Sequence, residues 1–561
     1  MNKQSNKKMI IILILVFVVI FAVGINSTQN LKKSSSEKNY DKAISYLNKY
    51  MKNIKVDEAD KVKSTVSLGN TKLEDELPDI SEYPLTVQGN GELNIEIFSS
   101  PEKAGEETDG WLNEIAQKFN SQRNTINGKT VSVSIRSIAS GAAVDYIVSG
   151  KYVPEGFSPS NELWAGMVEA QNTKLTLIDS GIAKNTAGIL LSQSTYDALA
   201  QKYGKVELET IVEATINNEI AMGYTNPYAS STGMNFLISA LSHFDNENPL
   251  SSTSVSGFQK FQENVPFVSY TTMQMRTAAE SGSLDAFIME YQTYYNDTTL
   301  KREYNFIPFG VRHDSPMYAI DGLDSEKTQL LNMFTEYCKS NESQNLATEY
   351  GFNNNTDYNP GITTYDGDIL LKAQQLWKEE KDSGKPIIAV FVTDVSGSMS
   401  GTPLTQLKQS LSNSIQYINS NNYIGLVSYS SNVTINLPID QFNLNQKSYF
   451  NGAVQSLTAG GNTSTFDAII VAADMLVKKQ LEVPDSKLMM FVLSDGETNN
   501  GYTIQEASNV IKNLNIPIYT IGYNADISAL NEISAINEAA SINADSEDVI
   551  YQLKNLFNSN L

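Results

Sequence analysis

The sequence predicts an α/β protein. Its parts are a C-terminal doubly wound, mostly parallel sheet, an α/β region of two lobes before it, and an N-terminal transmembrane helix. Three observations predict this. Apolar runs at 387–392 and 487–493 alternate with helix-periodic segments, and each run leads into an acidic residue. Residues 90–350 show the same alternation, with two places where the chain crosses between groups of strands. An apolar run of about 17 residues follows three lysines at the start of the chain.

Composition excludes several functions. The 561 residues allow three or four domains. The net charge of −22 repels nucleic-acid phosphates, so no nucleic-acid partner is expected. Cys338 is the only cysteine, which rules out an intramolecular disulfide and a Cys-rich zinc site. His243 and His313 are the only histidines, which argues against a His-dependent hydrolase. No nucleophile–base signature, P-loop, HExxH or cofactor fingerprint is present, so the protein is not expected to be an enzyme.

Taken in order, residues 1–26 read as a membrane anchor or signal peptide. Lys3, Lys7 and Lys8 ahead of the apolar run place the N-terminus in the cytoplasm and the bulk outside, as a single-pass membrane protein. Ala22-Val23-Gly24 offers the alternative of a cleaved signal and secretion. Residues 27–89 are polar and read as a linker or stalk, with a short amphipathic pattern at Ile44, Leu47, Tyr50 and Met51. Residues 90–350 form the two-lobed region, with crossings at 176–192 and 306–320. Residues 351–383 read as a turn-rich linker and a helix at 370–380. Residues 384–561 carry the parallel sheet, ending in a helix at 547–557.

The densest chemistry follows the 387–392 run. Asp394, Ser396 and Ser398 sit at spacings of two past a strand end, where open α/β sheets place their ligands. Downstream lie Gly460-Gly461-Asn462-Thr463 and, after a second apolar strand, Ser494-Asp495-Gly496-Glu497. Hydroxyl and carboxylate oxygens are the hard donors that Mg²⁺ selects. Asp and Ser at strand ends also cap helices, but capping does not require all five positions. Residues 384–559 resemble the von Willebrand factor A domain with its metal-ion-dependent adhesion site. The resemblance implies that Asp394, Ser396, Ser398, Thr463 and Asp495 hold Mg²⁺, or Mn²⁺ or Ca²⁺. It also implies that the ion is completed by an acidic residue of a protein partner.

Residues 90–350 resemble the two-lobed bacterial extracellular solute-binding proteins that serve ABC transporters. The carriers are the strand end at Ser99-Ser100, the Asn226-Pro227 to Gly233 turn, the 282–291 stretch and Pro316-Met317-Tyr318. The resemblance implies a small polar or anionic solute between the lobes, with Ser99, Ser100, Ser140, Ser231, Thr232 and Tyr291 as cleft residues. These hydroxyls also serve as helix N-caps. Two roles follow: cation-mediated adhesion or assembly, and a solute receptor whose C-terminal domain relays or anchors.

Overall fold

The computed structural model describes residues 35–66, 72–265, 267–269, 275, 284–360, 365–382, 384–495, 498–514, 516–523, 541–544, 553, 556, 557 and 561. The apolar run at 1–26 and most of the helix expected at 547–557 lie outside the described residues. Among the described residues no helix is long and apolar enough to cross a membrane.

The C-terminal sheet has seven strands in the order Val56–Glu58, Val433–Gln441, Tyr423–Tyr429, Ile387–Asp394, Lys487–Ser494, Ile518–Tyr523 and Ser541–Ala544. Every neighbouring pair is parallel except the antiparallel Tyr423 and Val433 strands. Ile387–Asp394 is central and buried at every residue, which is why its sequence is continuously apolar rather than alternating. Helices Thr402–Ser414 and Leu444–Ser456 cover one face, and Thr465–Glu482 and Ile504–Leu514 the other. Phe391, Phe491 and Phe557 pack together on the first face with ring centroids 5.1–5.4 Å apart.

Residues 35–66 differ from the spacer expected within 27–89. Helix Ser35–Met51 lays Ala43, Leu47 and Tyr50 against Thr465–Glu482 and Ile504–Leu514, inside the second core. The Tyr50 ring lies 4.7 Å from that of Tyr502. Strand Val56–Glu58 then extends the sheet, with Val56 opposite Val433. Ser64 continues the attachment, donating its N–H to Ser448 O at 3.1 Å and accepting from Ser448 Oγ at 2.7 Å. Sequence from both sides of the two-lobed region therefore builds the C-terminal domain. The amphipathic stripe was visible in the sequence, but its partner lies more than 400 residues away.

The first lobe has a sheet in the order Leu85–Val87, Lys129–Ser137, Leu93–Ser99, Gly156–Ser158, Met317–Ile320 and Leu175–Asp179, with Thr125–Ile126 paired to Lys129–Ser137. The second lobe orders Phe267–Ser269, Met222–Thr225, Ala286–Glu290, Thr186–Ser192 and Tyr304–Arg312. The chain passes between the lobes after Asp179 and again after Arg312.

A helix at Gly367–Glu380, in the stretch read as linker and helix, belongs to the core of this region. It packs on helix Leu163–Ala170 of the first lobe and on helices Ser231–Phe244 and Ser252–Gln262 of the second. Its Trp377 is fully buried and donates Nε1–H to Tyr224 Oη at 2.7 Å. Gln374 Nε2 donates to Pro227 O at 2.9 Å. At its start the helix runs so close to the first lobe that a Cβ on Gly367 would lie 2.0 Å from Gly166 O. A single apolar cluster consequently joins Phe98 and Trp164 of the first lobe to Phe236 of the second through Leu370, Ala373 and Trp377.

Candidate functional site

Two sites stand at the carboxyl ends of strands. The first gathers residues from three segments of the C-terminal sheet. Asp394 ends the central strand, fully buried. Its Oδ1 accepts from Ser396 N–H at 2.8 Å, which turns the chain back over the strand end. Its Oδ2 accepts from Ser494 Oγ at 2.7 Å. Ser396 Oγ lies 3.0 Å from Ser398 Oγ, and Ser398 Oγ donates to Asp495 Oδ1 at 2.9 Å. The Thr463 loop is bound to the Ser396 loop through Gly397 N–H to Gly461 O (3.0 Å) and Gly460 N–H to Val395 O (2.8 Å). Gly461 has φ of +92°, a conformation in which a side chain is strained. Thr463 is 5% exposed, and its N–H donates to Asn499 Oδ1 at 2.9 Å.

Burial raises the Asp394 carboxyl above its ordinary range, and the Asp495 charge adds to the rise. The bonds from Ser494 and Ser396 oppose it. Among the described residues neither carboxylate has a cationic side-chain partner. A buried carboxylate without a counter-charge is unfavourable, and a small divalent ion is the counter-charge that this oxygen-only donor set fits. Mg²⁺ in such a site keeps open positions and supplies Lewis acidity toward one further oxygen ligand. Among the described residues no group of three or more His, Cys, Asp or Glu is placed to hold a metal, so this hydroxyl-rich set is the one to consider. The structure thus brings together Asp394, Ser396, Ser398 and Asp495, and sets the Thr463 loop against them. Sequence reasoning missed Ser494, which steadies Asp394, and Asn499, which positions Thr463. Ser494 stood in the quoted strand end, and only its bond partner was invisible.

The second site is a cleft of about 490 Å³ between the lobes. Ser100, Ser140, Ser231 and Thr232 line it as expected. Ser231 Oγ donates to Ser140 Oγ at 3.2 Å across the lobes and accepts from Trp164 Nε1 at 2.8 Å. Two expected residues lie elsewhere. Ser99 is buried in its strand, outside the cleft lining, and among the described residues its hydroxyl has no hydrogen-bond partner. Tyr291 stacks edge-on against Phe306 with centroids 5.0 Å apart and stays out of the cleft, because it opens the helix after the strand that ends at Glu290.

The acids of the cleft were missed. Glu290 is 6% exposed and accepts from Thr232 Oγ1 (2.8 Å) and Asn185 Nδ2 (3.0 Å). His313 Nδ1 lies 2.6 Å from its carboxylate, so that nitrogen carries the proton. His313 Nε2 then accepts from Asn161 and Asn235 side-chain amides at 2.9 and 3.0 Å. Glu102 accepts from Ser100 Oγ at 2.5 Å and pairs with the buried Lys103, whose Nζ also donates to Pro159 O at 3.3 Å. Desolvation pulls the Lys103 ammonium below its ordinary range. Asp109, partly buried, has its carboxyl pushed up to about 6 by desolvation. Glu290 did carry a signal: like Asp394 and Asp495 it ends or directly follows an apolar strand.

Residues 389–558 match the family described as von Willebrand factor type A domain, and residues 104–353 match bacterial extracellular solute-binding protein. Inter-alpha-trypsin inhibitor heavy chain H3 of Bos taurus is 29% identical over 159 residues, covering 26% of this chain and 18% of that protein. The chain therefore spans less than a fifth of that curated relative. Among solved structures, von Willebrand factor type A from Catenulispora acidiphila is 16% identical, covering 31% of this chain and 42% of that one, with a TM-score of 0.29. Iron-bound HitA from Pseudomonas aeruginosa is 12% identical, covering 52% and 99%, with a TM-score of 0.37.

Proposed function

We infer the function from a chain that carries a bacterial extracellular solute-binding region at 104–353 and a von Willebrand factor type A domain at 389–558. The C-terminal domain binds a divalent cation, Mg²⁺ before Mn²⁺ or Ca²⁺, and through it an acidic group of a protein partner. The role is adhesion or assembly outside the cytoplasm, with residues 1–26 as the membrane anchor and no chemical reaction performed. The observation that carries this reading is the hydrogen-bonded run Ser396–Ser398–Asp495 beside the buried Asp394 at one end of the sheet. Hydroxyls and two carboxylates leave a bound ion short of ligands, and an incoming carboxylate completes it without needing a base or a nucleophile.

The test is capture of surface proteins by full-length chain in Mg²⁺ and in EDTA. Capture in Mg²⁺ that disappears in EDTA and in Asp495→Asn supports the reading. Capture that persists in EDTA overturns it.

The cleft supports a second reading, a solute receptor coupled to the adhesive domain. Its support is the approximately 490 Å³ of space lined by hydroxyls and carboxylates from both lobes. Helix Gly367–Glu380 connects the two parts: Gln262 Nε2 of the second lobe donates to Lys381 O at 2.7 Å, and Lys378 Nζ donates to Tyr417 O of the C-terminal domain at 3.0 Å.

A further inference from the structure

We propose that the metal site of the C-terminal domain and the cleft wall at 226–233 are coupled through helix Gly367–Glu380. A cation held at Asp394 slows the opening of that wall, and a solute in the cleft tightens cation binding by the same factor. This rests on the metal and solute-binding readings above and adds the link between them.

The helix holds the cleft wall from behind. Gln374 Nε2 donates to Pro227 O at 2.9 Å, and Trp377 Nε1–H donates to Tyr224 Oη at 2.7 Å. The Tyr228 ring lies 6.0 Å from the Trp377 ring. Tyr224, Pro227 and Tyr228 directly precede Ser230, Ser231 and Thr232, which line the cleft. The same helix is rooted in the base of the C-terminal sheet. Lys381, just past its end, is buried and pairs with Asp382 Oδ2 at 2.6 Å. Asp382 Oδ1 also pairs with Lys487 at 3.4 Å. Lys487 opens the strand that ends at Ser494, and it lies opposite Ile387, which opens the strand that ends at Asp394. Asp394 and Asp495 therefore stand at the far ends of the two strands whose near ends hold the helix. Lys378 Nζ adds a second hold on Tyr417 O at 3.0 Å, in the turn that closes helix Thr402–Ser414. That helix itself starts just after the Ser396–Ser398 loop.

The coupling is positive because the two sites share an opening. Native proteins open locally in contiguous units rather than bond by bond. Loosening the base of the 387–394 and 487–494 strands releases Lys378 and the Lys381–Asp382–Lys487 group. The helix is then held by the lobes alone, and a helix keeps its hydrogen bonds cooperatively. Its loosening frees Gln374 and Trp377, and the cleft wall with them. Parting the buried Lys381 from its carboxylate is costly, so the junction stays closed as long as the sheet does. A cation that binds only the intact site suppresses the shared opening. It stiffens the wall without moving its average position. A solute that binds only the intact wall returns the same free energy to the metal site, since coupling between two binding sites is reciprocal.

The test is hydrogen exchange of the full chain with Mg²⁺ alone as the probe and EDTA as the reference, read at 394–399 and at 224–233. The expected result is slower exchange at both, by about fivefold at 224–233, the low end of typical coupling between sites. Asp495→Asn should lose both effects. The double variant Lys378→Ala, Lys487→Ala cuts two holds on the helix and leaves every residue of the metal site in place. It should keep the slowing at 394–399, which shows that it is folded, and lose the slowing at 224–233. Lys378→Ala alone should lose part of it, so the comparison does not depend on one variant. Slowing confined to 394–399 in the wild type overturns the coupling and leaves the metal reading standing. Slowing at 224–233 that survives unchanged in both variants excludes the helix as the link and overturns the proposal. No slowing at either stretch overturns the metal reading and the proposal with it.

Discussion

Ser398 Oγ donates to Asp495 Oδ1 at 2.9 Å, joining two strand ends that lie 97 residues apart in the chain. The bond holds a hydroxyl and a carboxylate side by side before any ion arrives. Metal binding should therefore stabilise the folded chain without remodelling it. At about 100 times its Kd, Mg²⁺ should add roughly 2.7 kcal/mol to the domain that binds it. Thermal unfolding in Mg²⁺ against EDTA measures this. Asp495→Asn and Thr463→Ala should lose the increment, and an equal shift in both variants would exclude this site.

Leu47 is 2% exposed and lies in the core between its helix and Thr465–Glu482. Leu47→Ala should destabilise the C-terminal domain by about 2–5 kcal/mol, the range for buried leucine truncations. Denaturant unfolding reports the change. If deletion of residues 35–58 left that domain's midpoint unchanged, the helix and strand would be passengers rather than parts of it.

Gly367 and Gly141 sit where two segments of backbone nearly touch. A Cβ on either would approach a carbonyl oxygen to 2.0 Å, Gly166 O for the first and Tyr228 O for the second. Backbone cannot give way as a side-chain tip can. Gly367→Ala and Gly141→Ala should each destabilise the two-lobed region by about 1–3 kcal/mol, the usual range for overpacking. Hydrogen exchange should rise on both sides of the contact. A rise confined to one lobe would show that the lobes are not held as one body.

Asp109 titrates near pH 6 in the fold, above the ordinary 3.8, because its carboxylate is desolvated. A raised folded value means that the ionised form is disfavoured in the native state. Stability is then lower above pH 6 and recovers as pH falls from about 6 toward 4. Asp109→Asn removes the charge at every pH. The variant should exceed wild type by on the order of 1–2 kcal/mol at pH 7.5, with the partial exposure of the group discounted. The two should converge at pH 4. A difference that does not change with pH would refute the desolvation account.

Much of the site at Asp394 was legible because it follows strand ends. Asp394, Ser396, Ser398 and Asp495 follow two apolar runs and are brought together, the Thr463 loop is set against them, and the structure adds Ser494 and Asn499 as supports. The cleft was legible only in part. Ser100, Ser140, Ser231 and Thr232 could be read as hydroxyls at helix starts. Tyr291 was read as a cleft residue but lies outside the lining, since its direction depends on the residue at which a strand becomes a helix. The acids Glu102 and Asp109 sit in short, irregular segments where no periodicity marks an inward face.

By itself the sequence determined the α/β class, the buried, parallel character of the strand that begins at 387 and the set of oxygen-bearing residues beyond it. Those follow from local rules of burial and strand-end chemistry. Tertiary structure alone decided that residues 35–66 complete a domain lying beyond the two lobes. It also decided that Gly367–Glu380 fastens those lobes together and that the cleft is walled by carboxylates. Each of these depends on contacts between segments distant in the chain, and the partner of a buried face leaves no mark on the face itself.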